Sequence, residues 1–276
     1  MNEGLVTLSG VTKRFGAETA VDAISAIIPA GQITGLVGPD GAGKTTLIRM
    51  MAGLLVAEAG SLSVLGLDPR TEAPRIHASI GYMPQRFGLY EDLSVGENLT
   101  LYADLRGLEP GARGRVFAEL LAFTDLGPFV DRLAGKLSGG MKQKLGLACA
   151  LIKKPRLLLL DEPCVGVDPI SRRELWKMVT RLRDEGAGIV WSTAYLDEAE
   201  ACDRTLLLNE GKLLFDGPPA ELTAKTSGRV FRVRGIEGRR RLVLQDALAE
   251  PGVIDGGIQG SALRLVLADG AALVPP

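Results

Sequence analysis

The chain has 276 residues, of which 46% are hydrophobic and 24% charged, a balance typical of a globular protein with a substantial core. Its net charge of −1 at pH 7 excludes a chain-wide basic surface, so no nucleic-acid partner is expected. The length favours one main domain with a smaller appendage.

Cysteine usage and hydropathy bear on the cellular compartment. Three widely spaced cysteines and a single histidine argue against a disulfide framework or a Cys/His zinc site, and predict a reducing compartment. The first residues lack the basic and apolar regions of a signal peptide, and no apolar run is long enough to span a bilayer. We therefore expect a cytoplasmic protein that does not cross a membrane by itself but could dock on a partner that does.

The chain opens with two predicted strands, residues 5–8 and 20–28, joined by a turn over residues 13–18. Phe15 in this turn lies a short distance before a glycine-rich segment. An aromatic ring there could stack on a nucleotide base, and the sequence alone leaves core or surface packing as an equal alternative.

A strand, a glycine-rich turn and a helix follow in that order over residues 33–50. The pattern G-x-x-x-x-G-K-[ST] of phosphate loops is filled at every fixed position, by Gly38, Pro39, Asp40, Gly41, Ala42, Gly43, Lys44 and Thr45, with Thr46 next. Small residues let backbone N–H groups approach phosphate oxygens, and the helix start adds its positive end. Lys44 can reach the β/γ-phosphates and the Thr45 hydroxyl can ligate Mg²⁺. The segment predicts a site for a nucleoside triphosphate, a purely structural turn being the alternative.

The rest of the main domain alternates strands and helices, which predicts a mostly parallel sheet with right-handed crossovers. Residues 88–152 form a predicted helical subdomain inserted between strands, with stops at 107–111 and 127–128. The predicted strands are 60–67, 80–83, 157–160, 188–192, 205–209 and 212–215, with helices at 170–185 and 196–202. A polar passage at 223–228 indicates a boundary, so we predict a main domain over 1–227 and a small β-α-β-β appendage over 228–276 that carries no chemical motif.

Two further segments carry candidate site residues. Asp161 and Glu162 follow the buried strand 157–160, at the edge where open α/β sheets bind ligands, so Asp161 can hold Mg²⁺ and Glu162 can activate water. An ordinary strand end is the alternative. Ser138, Gly139 and Gly140 begin a helix whose bare N–H groups could bind an anion, although a simple capped helix would look the same.

The phosphate loop, the run LSGGM at 137–141 and the acidic strand end occur in the order and spacing of ATP-binding cassette (ABC) transporter nucleotide-binding domains, which residues 3–225 resemble. The resemblance implies an α/β fold of the P-loop NTPase type: a mostly parallel sheet core, an antiparallel β-subdomain and an inserted helical subdomain, with the C-terminal α/β appendage added. It also implies ATP and Mg²⁺ as cofactors and an ATPase coupled to transport.

The resemblance assigns roles to individual positions. Phe15 corresponds to the adenine-stacking aromatic, and Gln85 to the glutamine that senses Mg²⁺ and faces the transmembrane partner. Asp168 corresponds to an aspartate of the dimer interface, although Val165 and Val167 replace the usual serine and leucine. Ser138, Gly139 and Gly140 match the signature that touches the γ-phosphate held by the opposite domain, and Glu162, Gln85 and Lys44 are the implied catalytic set. Family members usually carry a histidine where this chain has Ala194, and a methyl group cannot hydrogen-bond, so we expect a weakened catalytic site.

The runs at 81–99 and 192–204 resemble the branch that serves ABC-2-type export permeases, and the chain resembles the N-terminal half of subunits with two such domains in tandem. The implied partners are transmembrane permease subunits and a second ATP-binding domain, as a homodimer or a tandem half. The implied location is the cytoplasmic face of the cell membrane, where the permease is reached through residues 85–98. The alternatives are a soluble ABC ATPase without a transport role and a weakly hydrolysing regulatory module. The sequence does not indicate the transported substrate, because in this family the membrane subunits select it.

Overall fold

The computed structural model describes residues 4–85, 88–226, 228–236 and 238–268, with the side chains of residues 225 and 226 left aside. Contacts divide the chain into two compact units, Met1–Pro219 and Ala220–Pro276. The first unit contains every candidate site residue predicted above.

An antiparallel three-stranded sheet in the order β2-β1-β4 opens the first unit, built from β1 (Val6–Phe15), β2 (Glu18–Ile28) and β4 (Ala59–Val64). The predicted turn over 13–18 is wrong, because β1 continues to Phe15 and pairs it with Glu18. The turn itself is only Gly16 and Ala17, and Gly16 has a φ of 61°, which a glycine adopts without strain.

The central sheet has six strands in the order β5-β6-β7-β3-β8-β9. All pairs are parallel except β8 with β9, which confirms the predicted mostly parallel core. The strands are β3 (Ile33–Val37), β5 (Ile80–Met83), β6 (Leu157–Leu160), β7 (Gly188–Thr193), β8 (Arg204–Asn209) and β9 (Lys212–Gly217).

The four leucines of β6 divide between two hydrophobic cores, because successive side chains of a strand point to opposite faces. Leu157 and Leu159 join the core under the β2-β1-β4 sheet, which also contains Leu47 and Ile48. Leu158 and Leu160 join the core of the helical side. The sheet is therefore covered on both faces, as its parallel strands require.

Seven α-helices are described in the first unit, and an eighth begins at its last residue and continues into the second unit. They are α1 (Lys44–Met51), α2 (Pro69–Ser79), α3 (Val95–Leu105), α4 (Pro110–Thr124), α5 (Gly139–Leu151), α6 (Pro169–Asp184), α7 (Leu196–Glu200) and α8 (Pro219–Thr226). Helices α3, α4 and α5, with two 3₁₀ turns, make up the predicted inserted subdomain. Helix α2 was not predicted from the sequence, because Pro74 lies inside it, and Glu72 has non-helical dihedrals there. Helix α8 was not predicted either.

The second unit contains β10 (Val230–Val233), α9 (Arg240–Ala249), β11 (Val253–Gln259) and β12 (Ala262–Leu267). The three strands described in this unit form an antiparallel sheet in the order β10-β12-β11. Gly256 leaves room for helix α9, since a Cβ there would lie 2.9 Å from Cδ1 of Leu244.

Candidate functional site

The glycine-rich turn between β3 and α1 is held by backbone contacts that admit no side chain at two positions. A Cβ on Gly38 would lie 2.3 Å from the carbonyl oxygen of Leu208. A Cβ on Gly43 would lie 2.2 Å from that of Ala20, and Gly43 has a φ of 98°. Both glycines are therefore required by packing, and Gly43 also by its left-handed backbone.

The start of α1 is open to a ligand. Gly43 is its N-cap, and no side chain of the described residues caps the first turn, so its N–H groups have no side-chain acceptor within that part of the chain. A cavity of about 350 Å³ lies over this helix end. Phe15 lines it and is 51% exposed, so its ring is available at the mouth of the cavity rather than in the core. The remaining candidate residues that line it are Asp40, Gly41, Ala42, Gly43, Lys44, Thr45, Thr46, Gln85 and Glu162.

Lys44 is a buried cation at the floor of this site, with 4% of its side chain exposed. Its ammonium donates hydrogen bonds to the carbonyl oxygens of Gly38, at 2.8 Å, and Pro39, at 3.0 Å. It also lies 3.2 Å from Oε1 of Glu162. Because a buried charge is costly unless it is paired, these three oxygens hold the ammonium in place.

Asp161 lies beside Thr45 at the end of β6. Its Oδ1 accepts hydrogen bonds from Thr45 Oγ1, at 3.1 Å, and from Ser192 Oγ, at 2.8 Å. Burial raises the pKa of the Asp161 carboxyl, and the bonds from Ser192 and Thr45 oppose that effect. Its Oδ2 is buried and has no hydrogen-bond partner among the described residues.

An unpartnered carboxylate oxygen next to a threonine hydroxyl is a donor set that suits Mg²⁺, a hard cation that takes oxygen ligands and often keeps phosphate and water as the others. The side chains of Thr45 and Asp161 therefore fit the predicted metal. Within the described residues no cluster of three or more His, Cys, Asp or Glu side chains could hold a metal ion by itself.

Glu162 lies at the centre of the site with both carboxylate oxygens engaged. Oε1 faces Lys44, and Oε2 accepts a 2.7 Å hydrogen bond from Nε2 of Gln85. Its backbone φ is 49°, in the left-handed region that is strained for a glutamate. Its N–H donates to Ser192 Oγ at 2.8 Å. Gln85 thus bonds to the predicted base, and its predicted role as a metal ligand stays a prediction.

Ala194 lies at the end of β7 and shares a second cavity, of about 270 Å³, with Glu162 and Gln85. Thr193 Oγ1 is already used, since it accepts a hydrogen bond from the N–H of Tyr195. The structure therefore brings position 194 next to the predicted base. The single histidine, His77, is exposed on α2.

The predicted signature residues lie elsewhere, at the start of α5. Ser138 caps that helix by accepting a hydrogen bond from the N–H of Met141 at 3.3 Å, and Ser138 and Gly139 are exposed. Gly140 is buried against α6, where a Cβ would lie 2.2 Å from Ser171 Oγ. None of the three lines the phosphate-loop cavity in the described part of the chain.

Asp168 is the N-cap of α6 and accepts hydrogen bonds from the N–H groups of Ile170 and Ser171, both at 3.0 Å. A side-chain hydrogen bond from Ser171, with further bonds from backbone N–H groups, lowers the pKa of this exposed carboxyl. Capping therefore accounts for an aspartate here, and the interface role stays a prediction.

Several hydrogen-bonding side chains were not identified from the sequence, among them Ser192 and Asn98. Ser192 bridges Asp161 and the backbone of Glu162. Asn98 is fully buried in α3, and its amide bonds to the backbone of Tyr90, Leu93 and Ser94. A polar residue within an apolar run was the only available signal for either.

Among the described residues no helix is long and apolar enough to cross a membrane.

This fold and this site define a P-loop nucleotide-binding protein. Residues 21–165 match the family described as ABC transporter. The chain is 59% identical over 269 residues, 97% of its length, to the probable multidrug ABC transporter ATP-binding protein YbhF of Escherichia coli K12. It is 36% identical to the daunorubicin/doxorubicin resistance ATP-binding protein DrrA of Streptomyces peucetius, covering 90% of this chain and 76% of that protein. The chain belongs to the ABC transporter family, and the resemblance carried by its motifs is confirmed.

A solved structure of an ATP-binding subunit of an ABC transporter superposes with a TM-score of 0.73 at 28% identity, over 80% of this chain and 92% of that one. The predicted fold class is thereby confirmed. The chain spans 46% of the length of the YbhF protein.

Proposed function

We propose that this chain binds and hydrolyses ATP as the ATP-binding subunit, or half-subunit, of an ABC-2-type export transporter. The observation that carries the proposal is that Lys44 and Gln85 both contact the carboxylate of Glu162, next to the hydrogen-bonded pair Thr45–Asp161. These side chains lie at the start of α1, which no described side chain caps. Relatives named for multidrug transport and drug resistance support the export role.

In this proposal each group has a separate task. Lys44 and the phosphate-loop N–H groups bind the β/γ-phosphates, and Phe15 stacks on the base. Thr45 and Asp161, with Gln85, would hold Mg²⁺, which supplies neutralisation of phosphate charge when bound. Glu162 accepts the proton of the attacking water, with Gln85 holding its Oε2.

A second ATP-binding domain completes the proposed site. Ser138, Gly139 and Gly140 would touch the γ-phosphate bound by the partner domain, and Asp168 would lie along the interface. Exposure of Ser138 and Gly139 supports this role, because a surface glycine at a helix start leaves its N–H accessible. ATP then stabilises the closed pair, and hydrolysis releases it.

A groove of about 450 Å³ between α2 and α3 supports a transmembrane permease as the other partner. Leu54 and Leu105 line it and are 50% and 70% exposed, which suits the apolar face of a short helix. The guanidinium of Arg106, at the end of α3, donates a 2.8 Å hydrogen bond to the carbonyl oxygen of Ile80. A displacement of α3 is therefore passed to β5, the strand that leads to Gln85. We place the subunit on the cytoplasmic face of the cell membrane through this contact.

Ala194 favours a second candidate function, a nucleotide-binding module that scarcely hydrolyses ATP and regulates an intact partner domain.

Co-purification from membranes with the tagged chain, followed by identification of the spanning protein, tests the transport assignment. We expect a polytopic permease and ATP turnover that Glu162→Gln suppresses. Recovery without any membrane protein, with unaltered turnover in that variant, would contradict the proposal.

A further inference from the structure

Glu198 is a buried carboxylate on a short exposed helix. It belongs to α7, where Asp197 and Glu200 are exposed, yet only 2% of Glu198 is accessible. Its Oε2 accepts a 2.9 Å hydrogen bond from Nε1 of Trp191 in β7. Burying a carboxylate is unfavourable unless it is paired, so a residue in this position needs partners on the neighbouring elements.

Two further neighbours come from the segment that follows the predicted base. Oε1 of Glu198 lies 3.6 Å from Nε of Arg172, in the first turn of α6. Cys164 is buried two residues after Glu162 and lines the same cavity as Glu198. Burial, with the nearby Glu198 carboxylate, raises the pKa of the Cys164 thiol. Glu198 therefore contacts β7 and the start of α6, and lines one cavity with the loop that connects β6 to α6.

The loop after β6 needs such an anchor because its backbone is strained. A glutamate at a φ of 49° lies in the left-handed region that non-glycine residues rarely adopt, and such strain persists only where the surroundings over-determine it. On the upstream side, the N–H of Asp161 donates to Met83 O at 2.9 Å and that of Glu162 to Ser192 Oγ at 2.8 Å. On the downstream side, Glu198 Oε1 lies 3.6 Å from Nε of Arg172, at the start of the helix into which the loop leads.

We propose that Glu198 is a positioning residue that fixes the loop after Glu162 and so keeps the Glu162 carboxylate on Gln85 and Lys44. Glu198 is 2% exposed and is not among the described residues that line the phosphate-loop cavity. Without it, the loop relaxes towards an ordinary negative φ at Glu162 and the carboxylate leaves its partners. The effect on turnover rests on the proposed ATPase function, whereas the effect on the loop does not.

Arg172 extends the same anchor to the segment after Ala194. Its guanidinium lies 4.9 Å from the ring centroid of Tyr195 and 3.8 Å from the carboxylate of Asp197. The segments that follow β6 and β7 therefore share one cluster of charged side chains, in which Glu198 is buried, Arg172 is partly exposed and Asp197 is exposed.

Two variants and one matched control test the proposal. Glu198→Ala removes every contact, Glu198→Gln keeps an acceptor for Trp191 but loses the charge, and Glu200→Gln makes the same chemical change on the exposed side of α7. We expect Glu198→Ala to lower kcat by about 10²-fold, the size of effect a displaced catalytic group produces, with the Kd for ATP changed less than twofold. Glu198→Gln should fall between it and the parent, and Glu200→Gln should match the parent.

Two readouts do not depend on turnover. Trp176 and Trp191 are the only tryptophans and stack with centroids 4.3 Å apart, so tryptophan emission reports on this locus and should shift in Glu198→Ala alone. Amide hydrogen exchange of residues 161–168 should accelerate in Glu198→Ala while β1 and β2 keep the parent rates. If the parent shows no ATP turnover, the proposed function fails, and emission and exchange still decide the role of Glu198.

Unchanged exchange at 161–168 overturns the proposal, as does acceleration across the whole first unit, which would make Glu198 a general stabilising residue. If Glu198→Ala does not fold, Glu198→Gln carries the same exchange test. If Glu198→Gln then shows the parent's exchange rates at 161–168 and the parent's kcat, as Glu200→Gln should, the proposal is overturned.

Discussion

Lys44 Nζ lies 3.2 Å from Oε1 of Glu162, and the two side chains are only 4% and 9% exposed. The cation proposed to bind phosphate is thus paired with the carboxylate proposed to take a proton from water. A phosphate that draws the ammonium away leaves Glu162 with Gln85 as its remaining side-chain partner. Binding and proton acceptance are therefore coupled through one ion pair, and single substitutions should separate them.

Lys44→Ala should abolish tight ATP binding, because the charge beside the β/γ-phosphates is lost. Glu162→Gln should keep binding and slow hydrolysis by about 10²–10⁴-fold, the usual contribution of a general base. Fluorescent-nucleotide titration and a steady-state ATPase assay measure the two effects. Glu185→Gln, which breaks an exposed ion pair with Arg181, is the control. An equal loss of affinity in both site variants would refute this division of roles.

Gly139→Asp should prevent ATP-dependent dimerisation while leaving ATP binding by the monomer nearly unchanged. A carboxylate at the start of α5 would face the γ-phosphate of the partner site, and like charges repel. Gly139→Ala is the matched control, since both variants place a Cβ 3.1 Å from the carbonyl oxygen of Gly166 and only one adds charge. Light scattering with and without ATP measures the dimer. Dimerisation of the aspartate variant at the parent level would mean that this helix start is only capped.

Ala194→His should raise turnover at saturating ATP with little change in nucleotide affinity. The added imidazole would enter the cavity shared with Glu162 and Gln85, and one preorganised polar contact typically changes a rate by about 10²–10³-fold. Steady-state ATPase assays at matched dimer concentration measure it, with Ala194→Phe as a ring that cannot hydrogen-bond. A brisk parent rate that the histidine leaves unchanged would show that other groups already do this work.

Asp161→Asn should raise the thermal stability of the nucleotide-free protein. Burial raises the folded-state pKa of this carboxyl, so its stabilising contribution is present below the unfolded pKa, about 3.9, and is lost as pH rises through the folded pKa. At pH 7 the charged form is therefore the less stable one, and an asparagine still accepts from Thr45 and Ser192. We expect a Tm higher by a few degrees, since about 1 kcal/mol corresponds to about 2–4 °C in a domain of this size.

The same variant should lose the additional stabilisation that Mg²⁺ gives with ATP, because a neutral amide is a weak ligand for a hard cation. Asp168→Asn is the control with the opposite sign, since the side chain of Ser171 and helix N–H groups lower the pKa of that carboxyl and favour its charge. Differential scanning fluorimetry at pH 7, with and without Mg²⁺-ATP, gives both results. A fall in Tm for Asp161→Asn alone would contradict the assignment of burial as the dominant effect.

The sequence predicted the elements of the central sheet to within a few residues because each strand is a short apolar run bounded by breakers, as in 157–160. It failed where local signals conflicted. Pro74 argues against a helix in this segment, although Asp68 as N-cap and Pro69 at the first helical position are typical of the start of α2. The glycine at position 16 suggested a long turn, where cross-strand pairing extends β1 to Phe15.

For the site, the phosphate loop and Asp161–Glu162 were predicted residue by residue, since their patterns are local. The bond between Gln85 and Glu162 was not, because it depends on β5 lying next to β6 in register, Met83 opposite Leu160. Ser192 and Glu198 were missed for the same reason. Their partners are distant in the chain, and no pattern around either residue indicates them.

The position of β3 in the middle of the sheet determines when during synthesis the phosphate loop takes shape. Its hydrogen-bonded neighbours are β7 and β8, which lie near the far end of the first unit. Until β7 has left the ribosome, the strand that leads into the phosphate loop lacks both of these partners, and such non-local pairing is slow to form. A nascent chain that ends before Gly188 already contains the phosphate loop and Asp161–Glu162, yet it lacks both strands that flank β3 in the folded sheet.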